Sequence, residues 1–236
     1  GLQCDASNFL LAFLSKVASV DGTLGPYLRV EFANHFDGRS LLIDEVFTCL
    51  LRTRHRCSCC GSVVDSLARE SVLSLDVKNV EARTLKELWS SFFMERRVVC
   101  DCPVAGSGCS RGGVVHRQIF LEKEPIMLFI KLKRGWHDGV RMGKDTRPFQ
   151  FPCRLDFLRS GSYELRGVIR HAGDTPEHGH YVATCYLGRG KYGTFDDETF
   201  GGFLSWSELS DNVEIQSEAY VLLYERVSGE RRTWRE

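Results

Sequence analysis

An excess of charge of either sign is missing from this sequence: 31 Lys and Arg stand against 31 Asp and Glu, a formal net charge of zero over 236 residues. A nucleic-acid binder or a protein of acidic membrane surfaces usually carries a basic footprint, so polyanion binding is reduced to a local patch at most. Long apolar runs are missing too. The stretch from Ile126 to Ile130 is typical and far short of the roughly 20 residues that span a bilayer, so no membrane partner is expected. Residues Gly1 to Asp5 show neither a basic region nor an apolar one, which leaves no secretory leader to read. An initiator Met is also missing, and we expect an upstream piece. Internal repeats and low-complexity segments are absent. A composition with 43% hydrophobic residues fits one ordinary globular domain, and the charged tail 228–236 is expected to be disordered.

What the sequence does have is cysteine, ten in all, with six packed as Cys57, Cys59, Cys60 and Cys100, Cys102, Cys109. Clusters this tight rarely make a disulfide framework. In a reducing compartment they read as thiolate ligands for zinc, which points to cytoplasm or nucleus.

The apolar residues Ala6, Phe9, Leu10, Phe13, Leu14 and Val17 share one stripe of a 3.6-residue period, and Asp5 can cap it, so a helix is expected from Asp5 to about Ser19. Residues 25 to 60 alternate poorly between turn signals and read as short strands, including 41–51, leading into the first cysteine group. Strand-like alternation returns over Ser71 to Val77. Thr84 and Glu87 form a capping box ahead of Leu85, Leu88, Trp89, Phe92 and Phe93, so a second amphipathic helix lies between the cysteine groups. The second half reads as strands over 126–133, 163–169, 181–186, 192–195 and 219–225, expected to form one antiparallel sheet, with a short helix capped by Ser205 and Glu208 before the last strand. The fold class is α+β.

Chemistry concentrates between Tyr163 and Glu198. A strand ending near His171 is followed by a polar loop, then by Gly179-His180-Tyr181 opening a strand, and then by Phe195-Asp196-Asp197. Two neighbouring strands would place the His180 imidazole beside the Asp196 carboxylate. That is the base and the orienting group of a nucleophilic triad, in which the carboxylate fixes the tautomer and stabilises the imidazolium.

These residues resemble the His box of the ubiquitin-specific proteases, papain-like cysteine proteases that remove ubiquitin. Collinear segments agree. Gln3 to Leu10 resembles that family's Gln-Gln-Asp-Ala-x-Glu-Phe-Leu segment, and Phe47 to Gly61 its strand with a trailing CxxC knuckle. Glu124 to Arg134 resembles its Leu-Pro-x-Val-Leu to Leu-Lys-Arg-Phe strand, and Ala219 to Tyr224 its terminal Ala-Tyr-x-Leu-x-Tyr strand. The resemblance implies an antiparallel palm sheet, zinc-bearing fingers and, here, a remnant of the helical thumb. It divides 1–227 into a last thumb helix (1–20), fingers and palm strands (21–135) and palm with the His box (136–227). It implies a thiol-dependent deubiquitinase that cleaves isopeptide or peptide bonds after the C-terminal Gly of ubiquitin. His180 becomes the general base, Asp196 its orienter and Asp197 a polar helper. His171 shapes the loop over the ubiquitin tail, while His178 is solvated.

By the same resemblance two knuckles supply four thiolates to a structural zinc, Cys57 and Cys60 from one. Cys109 comes from the other, with Cys102 as its partner and Cys100 as the alternative; Cys59 is a bystander. A closed tetrathiolate site has no open position for water and is structural.

Three departures matter. Nothing in these residues matches the family's Gly-Asn-Thr-Cys nucleophile box, so we expect a fragment that is inactive without that upstream box. The alternative is a catalytically inactive ubiquitin-binding module. Cys4 aligns with the second Gln and reads as a partly buried thiol at a helix start; Cys49, Cys153 and Cys185 read as small core residues. Asn8 replaces the family's Glu. Gly135 and Trp136 follow Arg134 where the family has Phe. The basic group Arg52, Arg54, His55 and Arg56 reads as a solvated face.

Overall fold

The structure, a computed structural model, describes residues 5–14, 42–78, 81–104, 109, 113–137, 139–176 and 178–227; Cys4, the strands expected over 25–41 and the tail 228–236 lie outside them. In chain order come α1 (residues 6–14), α2 (Leu42–Phe47), β1 (Cys49–Cys57), β2 (Val63–Glu70), β3 (Leu73–Asp76), α3 (Leu85–Phe93), β4 (Arg96–Val99) and β5 (Val114–Lys123). Then follow β6 (Met127–Lys133), β7 (Gly135–His137), β8 (Met142–Lys144), β9 (Arg154–Leu155), β10 (Ser162–Ala172) and β11 (His180–Gly188). The last elements are β12 (Lys191–Asp196), β13 (Thr199–Ser205), α4 (Trp206–Ser210), α5 (Val213–Glu218) and β14 (Ala219–Val227).

The five strands expected to share a sheet do so. It has eight strands, ordered β13-β12-β11-β10-β14-β6-β3 with β9 added on β10. Its edge strand β3 is parallel to β6, with Leu73 opposite Ile130. A second, antiparallel sheet is ordered β2-β1-β5-β4 and holds the cysteine groups at one end, while β7 and β8 make a small hairpin.

Both expected capping boxes form. Glu87 N donates to Thr84 Oγ1 at 3.3 Å and Thr84 N to Glu87 Oε2 at 3.1 Å, which starts α3 where its buried residues Leu85, Leu88 and Trp89 begin. Ser205 and Glu208 do the same for α4. Burying each large apolar side chain of this kind is worth roughly 1.5–3 kcal/mol, so the caps fix the ends and packing holds the helices. α3 and α4 pack on one face of the large sheet, with Leu128, Ile130, Leu132, Leu165 and Tyr224 among the core. On the other face Leu14 of α1 meets Val72, Phe129 and Val221.

Residues 41–51 were expected as strands, and the structure places α2 there before β1 begins. Asp44 and Glu45 interrupt the alternation. They pair outward with Arg69 and Lys123, while Phe47 stacks on Phe129 at 5.9 Å. The expected stripe of α1 is also rotated. Asp5 Oδ1 caps the helix from the amides of Ser7 (2.7 Å) and Asn8 (3.2 Å), and Lys131 Nζ donates to the buried Ser7 Oγ at 2.6 Å. These polar anchors turn Ser7 and Leu14 inward and leave Phe9 and Phe13 exposed, stacked on each other.

Arg134 directly follows β6 and is 1% exposed. Its guanidinium donates to four backbone carbonyls: Ala219 (2.7 Å), Asp145 (3.0 Å), Arg147 (3.0 Å) and Gln216 (2.6 Å). Burial pushes its pKa down to about 10, which still leaves it charged at neutral pH. Replacing Arg134 with Leu strands these carbonyls in a dry place, and we expect a loss of about 3 kcal/mol or more. Urea unfolding of Arg134→Leu and Arg134→Lys against wild type measures it, with Lys intermediate because it cannot reach all four carbonyls at once.

Candidate active site and four-thiol cluster

His180 opens β11 and Asp196 closes β12, and the pairing of these two strands runs from Ala183 opposite Phe195 inward. Beyond that pair the strand ends are free to bring their side chains together. His180 Nε2 and Asp196 Oδ1 are in short hydrogen-bond contact. An ionised carboxylate only accepts, so Nε2 carries the proton and the Nδ1 lone pair is left for another group. Both side chains are about half exposed, 47% and 49%. The Asp196 hydrogen bond, then its charge, with a smaller contribution from Asp197, holds the imidazole above its ordinary pKa.

Asp197 starts the two-residue turn between β12 and β13 with φ +49°, a left-handed conformation that Asp tolerates better than most residues. That turn brings its carboxylate into the same group, with ligand atoms of His180, Asp196 and Asp197 within 4.8 Å of one another.

His171, expected to shape the loop that follows its strand, sits near the end of β10 and is buried, its ring 4.7 Å from that of Tyr181. Burial, then the nearby Lys144 charge, pushes its pKa down. It is therefore a neutral wall. With Asp5, Lys131, Lys144, Tyr181 and Tyr220 it lines a cavity of about 210 Å³. The sequence reading made Asp5 only a helix cap, yet here it also accepts from the Tyr220 hydroxyl. Burial would raise the Asp5 pKa, but hydrogen bonds from Ser7 and Tyr220 and the Lys131 charge outweigh it and hold the carboxyl at about 2. His178 is exposed.

At the far end of the smaller sheet, β1 runs into a turn closed by Gly61 at φ +71°, whose amide donates to Cys57 O at 3.0 Å. Cys57, Cys60, Cys102 and Cys109 gather with all sulfurs within 4.8 Å of one another. Cys57 and Cys109 are 3.9 Å apart, Cys60 and Cys102 3.8 Å. A metal bound by thiolates at about 2.3 Å in a tetrahedron needs sulfurs about 3.8 Å apart, so the donor set fits zinc. The amides of Cys60 and Cys59 lower the Cys57 pKa, and the Ser62 hydroxyl and amide bring Cys60 down to about 6, both toward the thiolate that a metal requires. Cys100 and Cys59 are outside the cluster. Elsewhere Cys49 is buried and Cys185 half-buried, whereas Cys153, expected in the core, is exposed beside the short β9. The basic group of β1 is a neutralised surface: Arg54 and Arg52 pair with Asp65, Arg52 also with Glu122, and Arg56 with Glu95.

A mostly β fold with a His–carboxylate pair on adjacent strand ends and a four-thiol knuckle defines a narrow class. The family model for ubiquitin carboxyl-terminal hydrolase matches residues 1–224, and this chain belongs to that family. It is 29% identical over 194 residues to ubiquitin carboxyl-terminal hydrolase 36 of Drosophila virilis, covering 78% of this chain and 15% of that protein. To ubiquitin carboxyl-terminal hydrolase 25 of Arabidopsis thaliana it is 26% identical over 235 residues, covering 96% of this chain and 34% of that one. The solved SAGA DUB module of Ubp8, Sgf11, Sus1 and Sgf73 bound to monoubiquitin has a chain that superposes with a TM-score of 0.73 at 23% identity, covering 97% of this chain and 50% of that one. The chain thus spans half or less of the length of each of these three.

The His180–Asp196 pair has a defined pH signature. The folded-state pKa of His180 is raised above its ordinary 6.5, so the stability the pair adds is complete below about pH 6.5 and fades as the pH climbs through the folded value. NMR titration of the ring is expected to fall toward 6.5 in Asp196→Asn. The stability difference between wild type and variant should shrink with rising pH; a gap that grows instead contradicts the pairing.

Proposed function

We propose that this chain forms the base-bearing part of a thiol-dependent deubiquitinase acting after the C-terminal Gly of ubiquitin. The observation that carries this reading is the contact between His180 Nε2 and Asp196, which leaves Nδ1 as a proton acceptor at the end of two strands. His180 takes the proton of a thiol as its sulfur attacks the carbonyl carbon, then gives that proton to the departing amine. Water next attacks the thioester, again through His180, and frees the ubiquitin carboxylate. Asp196 holds the tautomer and stabilises the imidazolium, and Asp197 supplies a second negative group beside it. The thiol is supplied by a Cys box that these residues do not contain. Cys57, Cys60, Cys102 and Cys109 hold a structural zinc that ties the ends of β1 and β5, and reduced thiols suit cytoplasm or nucleus.

The partner is ubiquitin, as supported by the family and by solved relatives bound to monoubiquitin and to ubiquitin aldehyde. A second reading, an inactive ubiquitin-binding module, is favoured by one feature of the sequence: we read no segment in it that resembles the family's nucleophile box.

A fluorogenic ubiquitin substrate separates the two. The chain alone is expected to be silent, and joining it to a Cys-box segment should give turnover that His180→Ala lowers by about 10³-fold. Silence after joining, with ubiquitin still bound, selects the module. Metal analysis is expected to find one zinc per chain, lost in Cys57→Ser and Cys109→Ser; a folded wild type without zinc would end the tetrathiolate reading.

A further inference from the structure

Gly135, where the sequence departs from the family's Phe, touches the loop between β10 and β11. A Cβ at this position would lie 2.8 Å from Cγ of Pro176, and a proline ring cannot swing aside as a long side chain can. Directly opposite Gly135 in the β7–β8 hairpin, Lys144 Nζ donates to the carbonyls of His171 and Gly173, the second at 2.8 Å. The next cross-strand pair braces the hairpin, the Trp136 ring covering Gly143 so closely that a Cβ there would be 2.4 Å away. The loop is folded back on itself. At Gly173, φ +150°, a Cβ would be 2.4 Å from His178 O, and at Gly179 a Cβ would be 2.3 Å from Ala172 O. Gly179 directly precedes His180.

We propose that the β7–β8 hairpin is a latch: Gly135 receives Pro176, Lys144 holds the carbonyls of His171 and Gly173, and together they set the loop that delivers His180. Gly135 and Lys144 are positioning residues, and their bearing on catalysis rests on the function proposed above. The latch itself is a mechanical claim that stands without turnover. A side chain at 135 and a proline at 176 compete for one space, so the glycine and the proline act as a pair.

Hydrogen exchange over residues 172–181 and NMR titration of the His180 ring, both on the full chain, read the latch directly. Gly135→Ala and Lys144→Met are each expected to speed exchange of the loop amides by about tenfold or more. Each should also move the His180 titration toward its ordinary value while β14 amides stay as protected as in wild type. In a Pro176→Gly background, Gly135→Ala should have little further effect, because the clash that couples them is gone. The proposal fails if Gly135→Ala acts equally with and without Pro176, or if both single variants leave loop and ring unchanged. Should Gly135→Ala not fold, Lys144→Met alone decides by the same readouts. A wild type that never turns over ubiquitin substrates would remove the proposed function and leave these measurements valid.

Discussion

A positive charge with almost no water around it sits where the main pieces of this structure meet. Arg134 satisfies that charge with backbone carbonyls from three segments: the loop at Asp145 and Arg147, the α5 residue Gln216, and Ala219 at the start of β14. A buried guanidinium is tolerated only when its donors are matched, and planar geometry lets one side chain match several oxygens at once. Asp145 lies close enough to favour the charge, although its carboxylate is engaged with Arg147. The consequence is positional. Ala219 precedes Tyr220, which reaches Asp5, and Arg134 precedes Gly135, which meets Pro176. The wall of the cavity and the seat of the His180 loop both start one residue from the same side chain.

That arrangement separates two kinds of electrostatics on one sheet. Around the cavity, groups set back from water are locked in one state: half-buried Asp5 is ionised with its pKa at about 2, and buried His171 is kept neutral by burial and by Lys144. His180 and Asp196, in contrast, are half exposed at the strand ends, and the imidazole is raised only by its partner. A group that must exchange protons gains from access to water, whereas groups that define a passage gain from not titrating at all.

Much of this was legible from residues alone where the signal is local. The capping boxes at Thr84 and Ser205 need only four residues each, and the five core strands are apolar enough to be read without a partner. β5 and β13 carry weak strand signals for opposite reasons: β5 has His116, Arg117 and Gln118 through its middle, and β13 contains Gly201 and Gly202, which leave no side chains to alternate. α2 was misread because an apolar pair, an acidic pair and a second apolar pair fit a helix only when the outward ion pairs are known. At the site, His180 and Asp196 were marked by their flanking Gly, Tyr and Phe, while Lys144 had no signal. Its role lies in reaching the carbonyls of residues 27 and 29 positions away, which no motif encodes.

The thiol cluster and the His180 pair lie on different sheets, and the chain passes between them by a stiff joint. β5 leads into β6 through Glu124 and Pro125. Glu124 accepts from the amides of Arg159 (2.9 Å) and Ser160 (2.6 Å), and the Tyr163 hydroxyl donates to Pro125 O. The base of the smaller sheet, Cys49, Leu51 and Leu121, belongs to the same core as α3 and the large sheet. Its outer end holds the four cysteines, with β2 almost wholly exposed. A sheet rooted in the core at one end and exposed at the other has little apolar burial to hold its tip, and a metal cross-link between the ends of β1 and β5 would supply order there without touching the root. Under the proposed function, a metal at the four cysteines would order the tip of the smaller sheet, while Arg134 and the hairpin that follows it set the loop that carries His180.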